Sequence, residues 1–394
     1  MDQISTPYSY YRGGTSKAAI VLRKDLPTTN DAELKAWILA AYGSPDRRQI
    51  DGIGGADILT SKFAVVGPSS RPDADVDYTF FQVGIDSSKV LTDLNCGNIS
   101  ASIGPFAVDA GLVPAVEPVT HVRIHATNFG NIIHASVPVR DGRAQVIGTQ
   151  HIDGVPGYGA PIALDFRETV GGKTGKLLPT GSAFDRIDVP GIGQMDVSIV
   201  DLANLVCYVK AEDVGLAASD NVADLIGDTE LMDRIEGIRL ASIVALGMAP
   251  DKDSAARQGL ATPWVSVVGA PANWPDFASG ETHLASECDI SARLFSRRNM
   301  HKAYPGTGSA CLAVAAEIAG SIPHQMASRN RSAGDPLRIG HPCGVLTVRA
   351  KIGPKVAGQP TVEEASLIRT ARRIADGNLY VPVDKLPWLR VVQE

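Results

Sequence analysis

Apolar and polar positions change period several times along the chain, and the same succession of periods occurs twice. In the first half, TSKAAIVLRKDLP reads as a strand. DAELKAWILAAYG then has the 3.6-residue apolar spacing of a helix, and LTSKFAVVG (Leu59–Gly67) is a β-branched strand. LANLVCYVKAEDVGL, ELMDRIEGIRLASIVALG and ATPWVSVVG (Ala261–Gly269) repeat that order in the second half. Next, NCGNISASIGPFAVDAG (Asn95–Gly111) lies over YPGTGSACLAVAAEIAG (Tyr304–Gly320) without a gap. Gly97/Gly306, Ser100/Ser309, Ala101/Ala310, Ala110/Ala319 and Gly111/Gly320 coincide. Alternating strand pairs around a turn follow in both halves, VTHVRIHATNFGNIIHASVPV and DPLRIGHPCGVLTVRAKI. A shared order of elements predicts a duplication. The expected domains are 1–187 and 188–394, divided at the Pro/Gly-rich LLPTGSAFDRIDVPGIGQ, with the C-terminal segment free to pack back on the first.

The runs ASIGPFAVDAG and ACLAVAAEIAG are apolar nearly all round, so each helix must be enclosed. The elements available to enclose them are strands. The expected class is therefore α/β (α+β): two pseudo-symmetric domains, each a curled mixed sheet around a central helix. Ile147–Gly175 reads mostly as loop. Thr361–Asp376 (TVEEASLIRTARRIAD) reads as an amphipathic helix, with Thr361 as N-cap and Glu364 closing a capping box.

Composition narrows the function. The chain has 394 residues, enough for two cores. A net charge of -6 argues against a nucleic-acid backbone as ligand, and no apolar run approaches membrane-spanning length. MDQISTPYSYYRGG does not read as a secretory leader, and the five scattered cysteines show no zinc-site spacing, so a reducing cytoplasm is expected. An acidic protein that binds acids needs local donors. NCGN and PGTG supply them: glycines at a helix start leave backbone N–H groups and the positive end of the dipole open to a carboxylate. This marks Gly97 and Asn98 in one half and Gly306, Thr307 and Gly308 in the other as substrate-binding residues. If the halves face each other, the two helix starts grip opposite ends of a polyacid.

Cys96 stands at such a helix start, where a thiol is driven toward thiolate, and is a candidate proton-transfer residue. Cys311 lies within the second apolar run and reads as core. Lys62 is out of place inside the strand-like TSKFAVV, where the other half has Trp264. A solvated surface lysine and a buried catalytic one both fit that position. His301, before the second glycine turn, reads as a proton carrier, a substrate hydrogen bonder or a structural histidine; His341 is similar. Arg47 and Arg48 read as surface charge. The turn Gly13, Gly14, Thr15, Ser16 is open between an ordinary turn and an anion nest.

Arg12–Lys17 (RGGTSK), GSPDRRQID with GIGGA, Thr60–Lys62 (TSK), Asn95–Asn98 (NCGN), His301–Gly308 (HKAYPGTG) and His341–Gly344 (HPCG) together resemble the PrpF family over essentially the whole chain. That family includes 2-methylaconitate isomerase, 4-oxalomesaconate tautomerase and methylitaconate Δ-isomerase, and is similar to diaminopimelate epimerase. The resemblance implies two such domains with the active site between them, and a 1,3-proton shift beside a carboxylate without metal or organic cofactor. It further implies a small unsaturated di- or tricarboxylate as substrate, a catalytic lysine at Lys62, and a carboxylate-holding role for Gly13, Gly14, Thr15 and Ser16. Lys62 and Cys96 form the expected acid/base pair, with the direction of transfer open.

Two positions depart from the pattern. Pro305 stands where the epimerases place a second cysteine, which argues against a symmetric two-thiol mechanism. Cys343 stands where the family more often has serine. Two other readings share these residues: a non-catalytic polyacid-binding accessory protein of a dehydratase, and an amino-acid epimerase or racemase. A homodimer is compatible with all of them.

Overall fold

The computed structural model describes residues 2–217, 219–327, 331–332 and 334–390. The chain forms two compact units. One comprises Met1–Gln150, Gly157–Ala163 and Arg369–Glu394; the other comprises His151–Pro156 and Leu164–Ile368.

In the first unit, β-branched and aromatic runs build a mixed sheet. Its strands run in the spatial order Ala371–Pro382, Gln3–Gly13, Ser16–Leu22, Lys62–Pro68, Val76–Val83, Val119–Ala126, Asn131–Arg140. Neighbours are antiparallel except Ser16–Leu22 with Lys62–Pro68, and Val76–Val83 with Val119–Ala126. The helix Gly97–Asp109 is buried along all but its last residue and packs against strands at both ends of this order, so the sheet curls around it. The alternation within strands explains the second layer. Ala19, Val21, Phe63, Val65, Phe81 and Val83 face outward onto the helix Asp31–Tyr42. Asn30 caps that helix by accepting from the backbone of Ala32 and Glu33, and Gly43 ends it in the left-handed region.

The second unit repeats the plan. Its order is Asp185–Val189, Gly193–Leu202, Asn204–Lys210, Trp264–Gly269, Ile290–Ser296, Leu337–His341, Gly344–Val356, Gln359–Arg369, with the parallel pairs at the equivalent places. The buried helix is Gly306–Glu317, and Thr229–Ala245 covers the outer face. The duplication holds at the level of register: Lys62 pairs beside Ala18 as Trp264 pairs beside Val206.

Two expectations need correction. Thr361–Asp376 is not a helix. It spans the ends of the antiparallel strands Gln359–Arg369 and Ala371–Pro382. Ala365, Leu367 and Arg369 are buried at a spacing of two, the period of a strand and not of a helix, where i and i+2 lie on opposite faces. Long-range pairing with Gly344–Val356 and Gln3–Gly13 decides the outcome. Thr361 Oγ1 donates to the Pro354 carbonyl at 2.9 Å and Glu364 accepts from Ser366 at 2.6 Å, so neither acts as a helix cap. The DRIDVPGIGQ stretch, placed at the boundary near residue 187, instead forms a hairpin inside the second unit. Ile187 and Val189 are buried in that unit's core. Ile147–Gly175 is irregular apart from the strand Ile162–Asp165 and the single turn Arg167–Thr169.

Candidate active site

Lys62 is the first residue of its strand and only 5% exposed. Its ammonium group donates to Gln82 Oε1 at 2.6 Å, across the antiparallel pair that sets the two residues opposite each other, and lies 5.4 Å from the centre of the Phe80 ring. Its backbone carbonyl accepts from the Tyr42 hydroxyl. Burial pushes the Lys62 pKa below that of an ordinary lysine, while negative charge at Cys96 and Asp57 pulls the other way. Those causes place Lys62 and Cys96 within electrostatic reach of each other. The sequence left Lys62 open between surface and interior. It is interior.

Cys96 is 9% exposed, in extended conformation, as the N-cap of Gly97–Asp109. Its carbonyl begins the helix by accepting from the Ser100 backbone at 2.8 Å. Pro305 is the N-cap of Gly306–Glu317, so the gap-free alignment of the halves holds in three dimensions and the second helix start carries no thiol. Cys311 is fully buried, with its pKa pushed up to about 12 by burial, and belongs to the core.

The turn between Gln3–Gly13 and Ser16–Leu22 lies against the start of the first helix. Asn98, buried in the first helical turn, donates through Nδ2 to Thr15 Oγ1 at 2.9 Å and to Ser16 Oγ at 3.3 Å. Gly14 has φ +51°, and a Cβ there would lie 2.3 Å from Asn98 Oδ1; a Cβ on Gly13 would meet the Asn98 carbonyl at the same distance. Only glycine permits this approach. Arg12 braces the turn by donating to the carbonyls of Gly14 at 3.0 Å and Thr370 at 2.9 Å.

In the second unit, Thr307 occupies the position of Asn98, and its Oγ1 accepts from Asn204 Nδ2 at 2.7 Å. Asn204 begins the strand equivalent to Ser16–Leu22. Gly308 faces inward, where a Cβ would lie 2.9 Å from Leu294 Cδ1, so close packing accounts for this glycine. His301 is buried, its backbone N–H donating to the Leu294 carbonyl at 2.9 Å. His341 ends the strand Leu337–His341. Its Nδ1 accepts from the Cys343 backbone at 3.2 Å, and its carbonyl accepts from the Trp274 indole at 2.8 Å. Cys343 Sγ donates to the Lys302 carbonyl at 2.9 Å. Arg47 and Arg48 are exposed.

Sequence reasoning missed two residues. Gln82 is a lone amide in the apolar strand VDYTFFQV, a signal as readable as that of Lys62. Arg369 was hidden by the mistaken helix. It is buried, its Nε donates to Asn98 Oδ1 at 3.3 Å, and burial pushes its pKa down to about 10.

The family model for PrpF protein matches residues 3–382. The chain belongs to the PrpF family. It is 45% identical to 3-methylitaconate isomerase of Eubacterium barkeri, over 98% of this chain and 99% of that one. It is 37% identical to 4-oxalomesaconate tautomerase of Pseudomonas putida, over 98% of each chain. Among solved structures, a methylitaconate-delta-isomerase superposes with a TM-score of 0.79 at 44% identity, covering 98% of both chains. The fold is also shared with a solved hydroxyproline epimerase at a TM-score of 0.53 and 13% identity, so the architecture is epimerase-like, as the motifs implied. No helix among the described residues is long and apolar enough to cross a membrane.

Proposed function

We propose that this chain is an isomerase that moves a proton, and with it a double bond, within a small unsaturated di- or tricarboxylate. Lys62 and Cys96 are the acid/base pair. A C–H flanked by a carboxylate and an alkene is acidic enough to remove because the resulting carbanion is delocalised as a dienolate. The reaction then needs a base, an acid returning a proton two carbons away, and donors for the charge that develops on the carboxylate.

The observation that carries this reading is a buried lysine in electrostatic reach of a cysteine at a helix start. Burial lowers the cost of having Lys62 neutral and therefore basic. Cys96 is the N-cap of the buried helix Gly97–Asp109 in the same unit. The two groups are thereby available as the proton donor and acceptor the reaction needs.

The substrate's carboxylates are assigned to donor sets of like construction. One is the turn Gly13, Gly14, Thr15 and Ser16 with the helix start Gly97 and Asn98. The other is Gly306, Thr307 and Gly308, with His301 and His341 of the same unit as further hydrogen-bonding groups. Methylitaconate and oxalomesaconate, the compounds in the relatives' names, are members of the substrate class. Five free cysteines suit a reducing cytoplasm.

Incubation with unsaturated polycarboxylates in D₂O, followed by NMR, tests the reaction. Deuterium is expected at an allylic carbon without added metal or nucleotide, and chelator should leave the rate unchanged. Lys62→Ala and Cys96→Ala should each lose at least about 10²-fold in kcat. Chelator-sensitive exchange, or normal turnover by the Lys62 variant, would refute the assignment.

A further inference from the structure

We infer that Arg369 is a positioning residue: acting through Asn98, it fixes the hydroxyls of Thr15 and Ser16 as hydrogen-bond donors toward a substrate carboxylate. The inference rests on the carboxylate-holding role proposed above for that turn.

A guanidinium has protons to give and no lone pair to accept with. The Asn98 atom that faces Arg369 Nε at 3.3 Å is therefore the amide oxygen. With the oxygen fixed, the NH₂ is fixed as well. It points at Thr15 Oγ1 (2.9 Å) and Ser16 Oγ (3.3 Å), one proton for each. Each hydroxyl has one proton and two lone pairs. Accepting from Asn98 engages a lone pair and leaves the proton to give. A rotating hydroxyl suits an anion or a cation equally; this one is set for an anion, at a helix start whose dipole has the same preference.

Arg369 is held in place from both sides. It precedes Ala371–Pro382, which is paired along its length with Gln3–Gly13, and the Gly14 backbone N–H donates to the Thr370 carbonyl at 2.9 Å. Gly14 also leaves room for it, since a Cβ there would lie 3.2 Å from Arg369 Cδ. The second unit has the same polarity with the residue types exchanged. There the amide, Asn204, is on the strand and the hydroxyl, Thr307, is on the helix, and again the amide donates to the hydroxyl.

Asn98→Asp separates this role from a merely structural one. The variant is isosteric and strengthens the contact with Arg369, so the fold is retained. An oxygen now replaces the NH₂, the hydroxyls turn inward to donate to it, and the turn loses its donors. The probe is tricarballylate, a saturated tricarboxylate that cannot isomerise, titrated calorimetrically into the full-length protein. Its affinity should fall at least about 10²-fold in Asn98→Asp, as expected when charge-assisted hydrogen bonds are lost, while the melting temperature stays equal or rises. Arg369→Met should weaken binding about 10-fold, and Arg369→Lys should recover part of the loss.

Affinity in folded Asn98→Asp within about twofold of wild type, or no tricarballylate binding by the wild type, would overturn the inference. The isomerase reading is tested separately by proton exchange. A wild type that exchanges protons while Asn98→Asp binds normally sinks only the positioning role. A wild type that binds tricarballylate but never exchanges protons sinks only the isomerase.

Discussion

Gln82 Oε1 accepts a 2.6 Å hydrogen bond from Lys62 Nζ across an antiparallel pair, and the same amide donates through Nε2 to the carbonyls of Ser61 at 3.0 Å and Ile58 at 3.2 Å. One side chain thus both orients the lysine and ties the segment before it to the sheet. An acceptor facing an amine favours its charged form, in opposition to the burial that disfavours it.

Substitutions at Gln82 are therefore expected to move the Lys62 ionisation. Gln82→Leu removes the acceptor and should move the lysine-dependent ionisation in the pH profile of kcat/KM to lower pH, with kcat reduced about 10-fold. Gln82→Glu adds a negative charge and should move it to higher pH. Profiles that shift the same way, or not at all, would show that Lys62 is not the titrating group.

Burial of Lys62 also has a consequence for stability. Its folded pKa lies below the ordinary 10.5, so between the two values the unfolded chain binds more protons than the folded one. Stability then rises with pH across that window and is lost as pH falls toward the folded value. Lys62→Met keeps the length of the side chain and has no charge to bury. It should be more stable than wild type at pH 7, and the gain should shrink as pH approaches 10.5. Urea unfolding of both proteins at several pH values reads this directly. A pH-independent difference would place the ammonium group in water.

The core of this site was legible because its residues break local rules. A lysine in an apolar strand, and glycines at the start of two all-apolar helices, conflict with plain packing, and the structure places them where the two internal repeats coincide in register. Gln82 breaks the same rule as Lys62. Arg369 was not legible, for a physical reason. In TVEEASLIRTARRIAD the buried positions Ala365, Leu367 and Arg369 satisfy a strand period, while the surrounding charges satisfy a helical one. The choice is made by partners far away in sequence, Gly344–Val356 and Gln3–Gly13. The fold boundary near residue 187 failed similarly. Proline and glycine mark turns, and here the turn closes a hairpin whose Ile187 and Val189 are already core.

Gly14 tests how tightly the turn is built. At φ +51° an L side chain is strained, and its Cβ would press on Asn98 Oδ1. Gly14→Ala should cost about 1–3 kcal/mol in stability, the range for a residue forced into a sparsely populated backbone region. It should also raise KM more than it lowers kcat, since the displaced groups are those proposed to bind substrate and not to carry the proton. Unaltered KM and melting temperature would mean that the helix start yields without consequence.

Thr307 offers the corresponding test in the second unit. Its hydroxyl is fully buried and accepts from Asn204 at 2.7 Å, and no charged group takes part in the bond. Thr307→Val keeps the shape and removes the acceptor, leaving the Asn204 amide to face a methyl group. Losing one partner of a buried hydrogen bond costs about 1–3 kcal/mol, because the desolvated group that remains has nothing to replace it. The same change removes the hydroxyl proton proposed to meet a carboxylate, so KM should rise alongside the loss of stability. Thr307→Ser separates the two effects. It restores the acceptor and the proton but not the methyl group, and should recover KM fully while regaining only part of the melting temperature. If Thr307→Val lowered the melting temperature and left KM unchanged, the second helix start would be a packing device, and carboxylate binding would rest on the first unit alone.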